Sequence, residues 1–168
     1  MADPDEGDPL TLDNQLCFSL YTASRALTGL YRELLGELGL TYPQYLVMLV
    51  LWERGTLTVK ELSRALHLDS GTLSPLLRRL EASGLVIRER STSDERVVRV
   101  TATAAGLDLR ERATDIPGQL VCATDLTATA ARDLRDALGR LTLSVETAAR
   151  RRAPCDTADA TGTRPPHR

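Results

Sequence analysis

The chain has 168 residues and a mass of 18.4 kDa, enough for one domain with an ordinary core. Its balance of 42% hydrophobic and 26% charged residues is globular, and no run of about 18 apolar residues exists to span a membrane. A net charge of −2 argues against a general nucleic-acid glue, and the acidic start lacks the basic and apolar stretches of a secretory signal, so a cytoplasmic address is expected.

Residues 1–10 read as a solvated acidic arm. The first helix follows, with apolar residues at Leu16, Leu20, Ala23, Leu27, Leu30 and Leu34 in one stripe, capped by Thr11 or Asp13 and stopped near Gly36 to Gly39. Pro43 opens a second helix over 43–53, ended by Gly55. Thr58 with Glu61 three residues on predicts a capped third helix through Leu66, and Asp69 or Ser70 caps a fourth that stops at Gly84. Two alternating strands, 86–90 and 96–100, flank the polar turn 91–95. A fifth helix runs from about Thr103 to before Pro117-Gly118, and a sixth over 127–151 repeats the stripe at Leu134, Leu138, Leu141, Val145 and Ala148. Residues 152–168, rich in Pro, Thr and Asp, read as a disordered tail.

The pattern predicts a mainly α fold with a small β-hairpin wing, a winged helix-turn-helix spanning 41–101. The terminal helices, in 11–40 and 102–151, carry more apolar stripe than the middle covers and suggest a dimerisation bundle; packing of the two against one another within one chain is the alternative.

Charge follows this division. Residues 1–16 hold five acids and no base, whereas 60–99 hold eight bases against six acids. In the fourth helix Leu73, Leu76, Leu77 and Leu80 form the core face. The opposite face presents Ser70, Gly71, Thr72, Pro75, Arg78 and Arg79, and hydroxyls followed by arginines suit a DNA groove. Pro75 removes a helix hydrogen bond and is expected to kink the helix, so a contact role for its ring is the compensating reading. The ribbon adds Arg88, Arg90, Arg96 and Arg99, with Asp94 placed to orient the Arg96 guanidinium toward a narrow minor groove. A solvated hairpin with surface ion pairs is the plainer reading of the ribbon.

Three cysteines, at 17, 122 and 155, are too few and too odd in number for a secreted disulfide framework. Only His67 and His167 are present, so neither a His-rich metal site nor a Ser-His-Asp hydrolase is expected, and no cofactor is implied. Cys17 falls near the start of the first helix, where the dipole favours thiolate and the neighbouring acids oppose it. Tyr31 lies on nearly the same face but fourteen residues on, about 21 Å along the axis, so it cannot touch its own Cys17. In an antiparallel pairing of two first helices, Tyr31 approaches the other copy's Cys17, and Tyr42 could join it as a second phenol donor. The plainer reading makes Cys17 a small buried hydrophobe and the tyrosines filler.

Residues 12–18 (Leu-Asp-Asn-Gln-Leu-Cys-Phe), 40–45 (Leu-Thr-Tyr-Pro-Gln-Tyr), 68–81, 93–96 (Ser-Asp-Glu-Arg) and 115–118 (Asp-Ile-Pro-Gly) resemble the organic-hydroperoxide-sensing branch of the MarR repressor family, over about 12–150. The resemblance implies a homodimer that binds double-stranded operator DNA when reduced and is released when organic hydroperoxide oxidises Cys17. It places the thiolate-binding phenols on Tyr31 and Tyr42, and DNA contacts on Ser70, Thr72, Arg79, Asp94 and Arg96. Cys122 falls where the two-cysteine members carry a resolving thiol; apolar filler is the alternative for it, and Cys155 lies in the tail. Two other readings compete: a MarR-type repressor released by a small phenolic ligand, with Cys17 passive, and a thiol peroxidase, for which no Arg or Thr stands beside Cys17.

Overall fold

The computed structural model describes residues 8, 10–90, 94 and 96–152, the last without its side chain. Most of the expected arm, turn residues 91–93 and 95, Cys155, His167 and the rest of the tail lie outside the described residues. Two compact units emerge, 1–120 and 121–168.

The first unit is built around helix α2 (Tyr42–Arg54), which follows α1 (Leu16–Leu34) and packs on the helix-turn-helix pair α3 (Val59–Leu66) and α4 (Ser70–Ala82). Apolar residues of α2 lie on several faces, and Tyr45, Val47, Met48, Val50 and Leu51 are all buried. They meet Leu62 of α3 and Leu73, Leu77 and Leu80 of α4, three of the four leucines that the four-three spacing predicts; the fourth, Leu76, is only half-buried and stands outside the core cluster. Thr41 and Gln44 form a capping box at the start of α2, and Thr58 and Glu61 form the predicted one at α3. Pro43 stands in the first turn of α2, where its missing N–H costs nothing.

The wing holds one strand more than the hairpin expected. Strand β1 (Leu57–Thr58) pairs antiparallel with β3 (Val98–Ala102), which pairs with β2 (Val86–Arg90), in the order β1-β3-β2. Two residues are too short to show a period, which is why β1 is invisible in the sequence. β3 starts two residues later than the predicted 96–100, because Asp94 and Arg96 belong to the turn: the Asp94 carboxylate accepts from the Arg96 N–H at 3.0 Å and its carbonyl from the Val97 N–H at 2.9 Å. A shift of two keeps every side chain on its expected face, so Val86 and Val100 still point into the core.

Helix α5 (Ala104–Arg112) closes the wing's base. Thr103 caps it, accepting from the Gly106 N–H at 3.1 Å and donating to the Gly84 carbonyl at 2.6 Å. Gly106 sits so close to β2's entry that a Cβ there would lie 2.1 Å from the Leu85 carbonyl oxygen. Its own carbonyl accepts from the Trp52 indole at 2.8 Å, tying α2 to α5.

The expectation that Pro117-Gly118 only breaks the chain after the fifth helix is corrected. Both lie in the first turn of a further helix, α6 (Ile116–Ala123), whose Ile116 is buried; Pro117, as second residue, leaves no internal bond unmade. In the second unit α7 (Ala128–Arg152) is a 25-residue helix on which Leu134, Leu138, Leu143 and Val145 are exposed.

The start of the first helix also differs. Leu12–Asn14 forms a separate 3-10 turn, and Gln15, not Thr11 or Asp13, is the N-cap of α1, with no side-chain cap bond. Asp8 explains the rearrangement, since its backbone and carboxylate oxygens take up the N–H of Leu10 and Thr11 and the Asn14 amide. Cys17 is therefore the second residue of α1, earlier than a full turn in.

Candidate functional site

Two sites emerge from this frame: a reading face on α4 and the wing, and a thiol and phenol set on α1 and α2.

The turn between α3 and α4 is made by His67 in a left-handed conformation (φ 51°) and closed by the bond from Ser63 Oγ to the Leu68 carbonyl. Asp69 then caps α4, accepting from the Thr72 N–H at 2.9 Å and from the Thr72 hydroxyl at 2.7 Å. These bonds hold the Asp69 carboxyl below the ordinary carboxylate range. Thr72 thus has its hydroxyl proton engaged with its own cap and offers a ligand only an acceptor. Gly71 makes the arrangement possible, because a Cβ there would lie 2.9 Å from the Asp69 carboxylate.

Ser70, Thr72, Arg78 and Arg79 are exposed and Pro75 is partly so, on the face opposite Leu73, Leu77 and Leu80. The helix runs unbroken through Pro75. Ser74 Oγ donates to the Ser70 carbonyl at 2.7 Å one residue before the proline.

Of the ribbon arginines, Arg88 is not free for a ligand. Its Nε and Nη2 both reach one oxygen of Glu81 at 2.9 and 2.6 Å, fastening α4 to β2 and holding the Glu81 carboxyl below its ordinary range. Arg90, Arg96 and Arg99 are exposed. The role expected of Asp94, orienting the Arg96 guanidinium, is corrected in its contact: the described bond goes to the Arg96 main-chain N–H.

The second site begins with Cys17, exposed in the first turn of α1, where the amides of Leu16 and Cys17 have no partner in the helix. The reading of Cys17 as a buried filler does not describe the protomer. Fourteen residues on, the Tyr31 ring lies against Tyr42 with centroids 4.4 Å apart and Tyr45 at 6.0 Å; Tyr45 meets Trp52 at 6.1 Å, edge on. Burial, reinforced by Tyr42 and Tyr45, pushes the Tyr31 phenol up to about 12, and burial raises Tyr42 and Tyr45 as well. Tyr31 and Tyr42 are therefore neutral donors at any physiological pH. Among the described residues nothing accepts a hydrogen bond from either hydroxyl, so the structure brings the two predicted phenols together and leaves both unengaged. Sequence reasoning missed Tyr45 and Trp52 as their support; four aromatics at 31, 42, 45 and 52, in a chain of six, were the available signal.

Cys122 is exposed on α6. Among the described residues no group of acidic, His and Cys side chains is placed to hold a metal ion, and no helix is long and apolar enough to cross a membrane.

An α3–α4 pair followed by a short antiparallel sheet, with arginines on the outer face of the second helix, defines a winged-helix DNA-binding protein. Comparison with known proteins gives the family. A model of the SarA/Rot transcriptional regulators matches residues 29–112. The organic hydroperoxide resistance transcriptional regulator of Bacillus subtilis (strain 168) is 53% identical over 114 residues, 68% of this chain and 78% of that protein. Among solved structures, reduced AbfR bound to DNA, from Staphylococcus epidermidis, superposes with a TM-score of 0.72 at 36% identity, covering 82% of this chain and 94% of that one. AbfR with its disulfide formed gives 0.56 at 36% identity over 83% and 92%. The chain belongs to the MarR/SarA family of winged-helix transcriptional regulators, whose relatives here are DNA-binding regulators and not enzymes.

Proposed function

We propose that the chain is a redox-sensing repressor, a homodimer that binds operator DNA while Cys17 is reduced and leaves it when organic hydroperoxide oxidises Cys17. The observation that carries this reading is the pairing of an exposed thiol at the start of α1 with two neutral phenols, on α1 and α2, that have no acceptor among the described residues. One helix holds Cys17 and Tyr31 about 21 Å apart, so the phenols serve the thiolate of a second copy lying antiparallel. The 53% identity to a hydroperoxide regulator supports the signal, and the reduced, overoxidised and disulfide forms of AbfR support a thiol that changes state.

DNA contacts fall to Ser70, Thr72, Pro75, Arg78 and Arg79 of α4 and to Asp94 and Arg96 of the wing, with Asp94 acting through the Arg96 backbone. In the chemical step the Cys17 thiolate attacks the outer oxygen of the hydroperoxide, which breaks the O–O bond and releases an alcohol once a proton is taken up. The sulfenic acid then condenses with the Cys122 thiol of the second copy, forming a disulfide and releasing water, and cellular thiols reverse it. Drawing Cys17 away from the phenols shifts the two reading heads, and release requires losing most of about 4–10 kcal/mol of specific binding.

Operator binding by gel shift tests the reading. Cys17→Ser binds like the wild type and stays bound under cumene hydroperoxide; Cys122→Ser loses the reversible cross-link on a non-reducing gel. Release of Cys17→Ser by peroxide as readily as wild type rejects the thiol switch. A cleft of about 610 Å³ between α3, α4 and the wing, lined by Val59, Lys60, Arg64, Leu77 and Val98, gives the ligand-released alternative a seat. Release by a phenolic acid under reductant, unchanged in Cys17→Ser, would select that alternative.

A further inference from the structure

We propose that Tyr31 and Tyr42 form a radical-coupling site, at which two oxygen-centred radicals join the rings into an intrachain biphenol. The inference uses the two phenols of the proposed switch but not its thiol, and concerns one-electron oxidants, the alkoxyl and peroxyl radicals that hydroperoxides yield on decomposition.

The geometry carries it. The ring centroids are 4.4 Å apart at an interplanar angle of 31°, and that separation is close to the one between two benzene rings joined by a single bond. The ring centres thus already stand at the separation of the coupled product, and coupling asks chiefly for a change in ring orientation. Two further aromatics connect to the pair in sequence, Tyr45 at 6.0 Å from Tyr31 and Trp52 at 6.1 Å from Tyr45, so oxidation that begins on either has a short path to it. Tyr21 stands apart, under the Arg25 guanidinium at 5.6 Å. Both phenols of the pair stay protonated, so each gives up a whole hydrogen atom and not an electron alone. Neither hydroxyl is tied to an acceptor within the described residues.

The step balances. Each of two alkoxyl radicals takes one hydrogen atom from a phenol and leaves as an alcohol. The two phenoxyl radicals form one carbon–carbon bond between ortho positions, and each ring's displaced hydrogen returns to its own oxygen. The protein loses two hydrogen atoms and the radicals are consumed. Holding the partners together makes coupling unimolecular, which outruns any encounter between dilute chains.

The test exposes the full chain, reduced, to radicals from a thermally decomposing water-soluble azo initiator. Biphenol fluorescence is followed, and tryptic fragments are weighed. The expected product joins fragment 26–32, holding Tyr31, to fragment 33–54 through Tyr42, lighter by two hydrogen atoms, with a yield that does not change on dilution. Tyr31→Phe and Tyr42→Phe each reduce it to background, while Tyr45→Phe and Cys17→Ser retain it. Retention in Cys17→Ser keeps this result separate from the fate of the thiol switch. A cross-link only between chains, falling with dilution, or one that passes through Tyr21, or oxidised tyrosine without any cross-link, would overturn the proposal.

Discussion

Helices α4 and α1 carry apolar stripes of the same spacing and meet opposite fates. On α4, Leu73, Leu77 and Leu80 are between 0 and 1% exposed, sealed by α2 and α3. On α1 no residue is buried, and Leu16 and Leu27 remain 59% and 39% exposed. The reading head is thus complete within one protomer, with its caps bonded and its core closed. α1 carries a surface made to be covered, and the proposal above assigns the cover to a second copy. Folding stability and pairing with a second copy are thereby assigned to two regions, so that each can be perturbed without the other.

The largest expected effect tests that division. Leu27→Glu places a charge on the open stripe of α1 and should convert a dimer to a monomer in light scattering. It should also cost about 4 kcal/mol or more of operator affinity, the low end of the gap between specific and non-specific binding. The melting of the helix-turn-helix core, followed by Trp52 fluorescence, should survive. If affinity holds in a monomer, the second copy has no part in reading.

Leu77→Ala attacks the closed half. A fully buried leucine on α4 should cost about 2–5 kcal/mol in chemical denaturation, more than any truncation on the exposed stripe of α1. Gly106→Ala should cost about 1–3 kcal/mol, because the new methyl meets the Leu85 carbonyl, and backbone yields less readily than a side chain. Equal stability of this variant and the wild type would show that the wing's base is looser than the 2.1 Å approach requires.

The smallest effect is the dependence on pH. Tyr31 is raised to about 12 from an ordinary 10, so the folded state holds its proton more tightly than the unfolded one. Its contribution is fully present below pH 10 and is lost as pH rises toward 12. Stability should be flat through neutral pH and fall across that interval, less steeply in Tyr31→Phe.

Much of this was legible in advance where the signal is local. Thr58 and Glu61 marked a helix start because a capping box needs only four residues, and Leu73, Leu77 and Leu80 marked a core face because helical geometry repeats it. Helix spacing and resemblance both point to Tyr31 and Tyr42, and the two rings stand together. What escaped was whatever depends on a partner distant in the chain. β1 exists only because Val100 lies opposite Leu57, and Arg88 is withdrawn from the outer face by Glu81 across the helix–strand junction. The Thr72 hydroxyl turned out to be held by the cap beside it, a choice among hydrogen-bond partners that residue type leaves open.

By itself, then, the order of residues determined the helix periods, the caps of α3 and α4 and the arginines on the outer face of α4, since each follows from neighbours within a turn or two. The tertiary structure alone decided the third strand, the β3 register, the close approach at Gly106 and the engagement of Arg88. Those depend on which backbones and charges meet once the core closes, and residues far apart in sequence acquire that proximity only by folding.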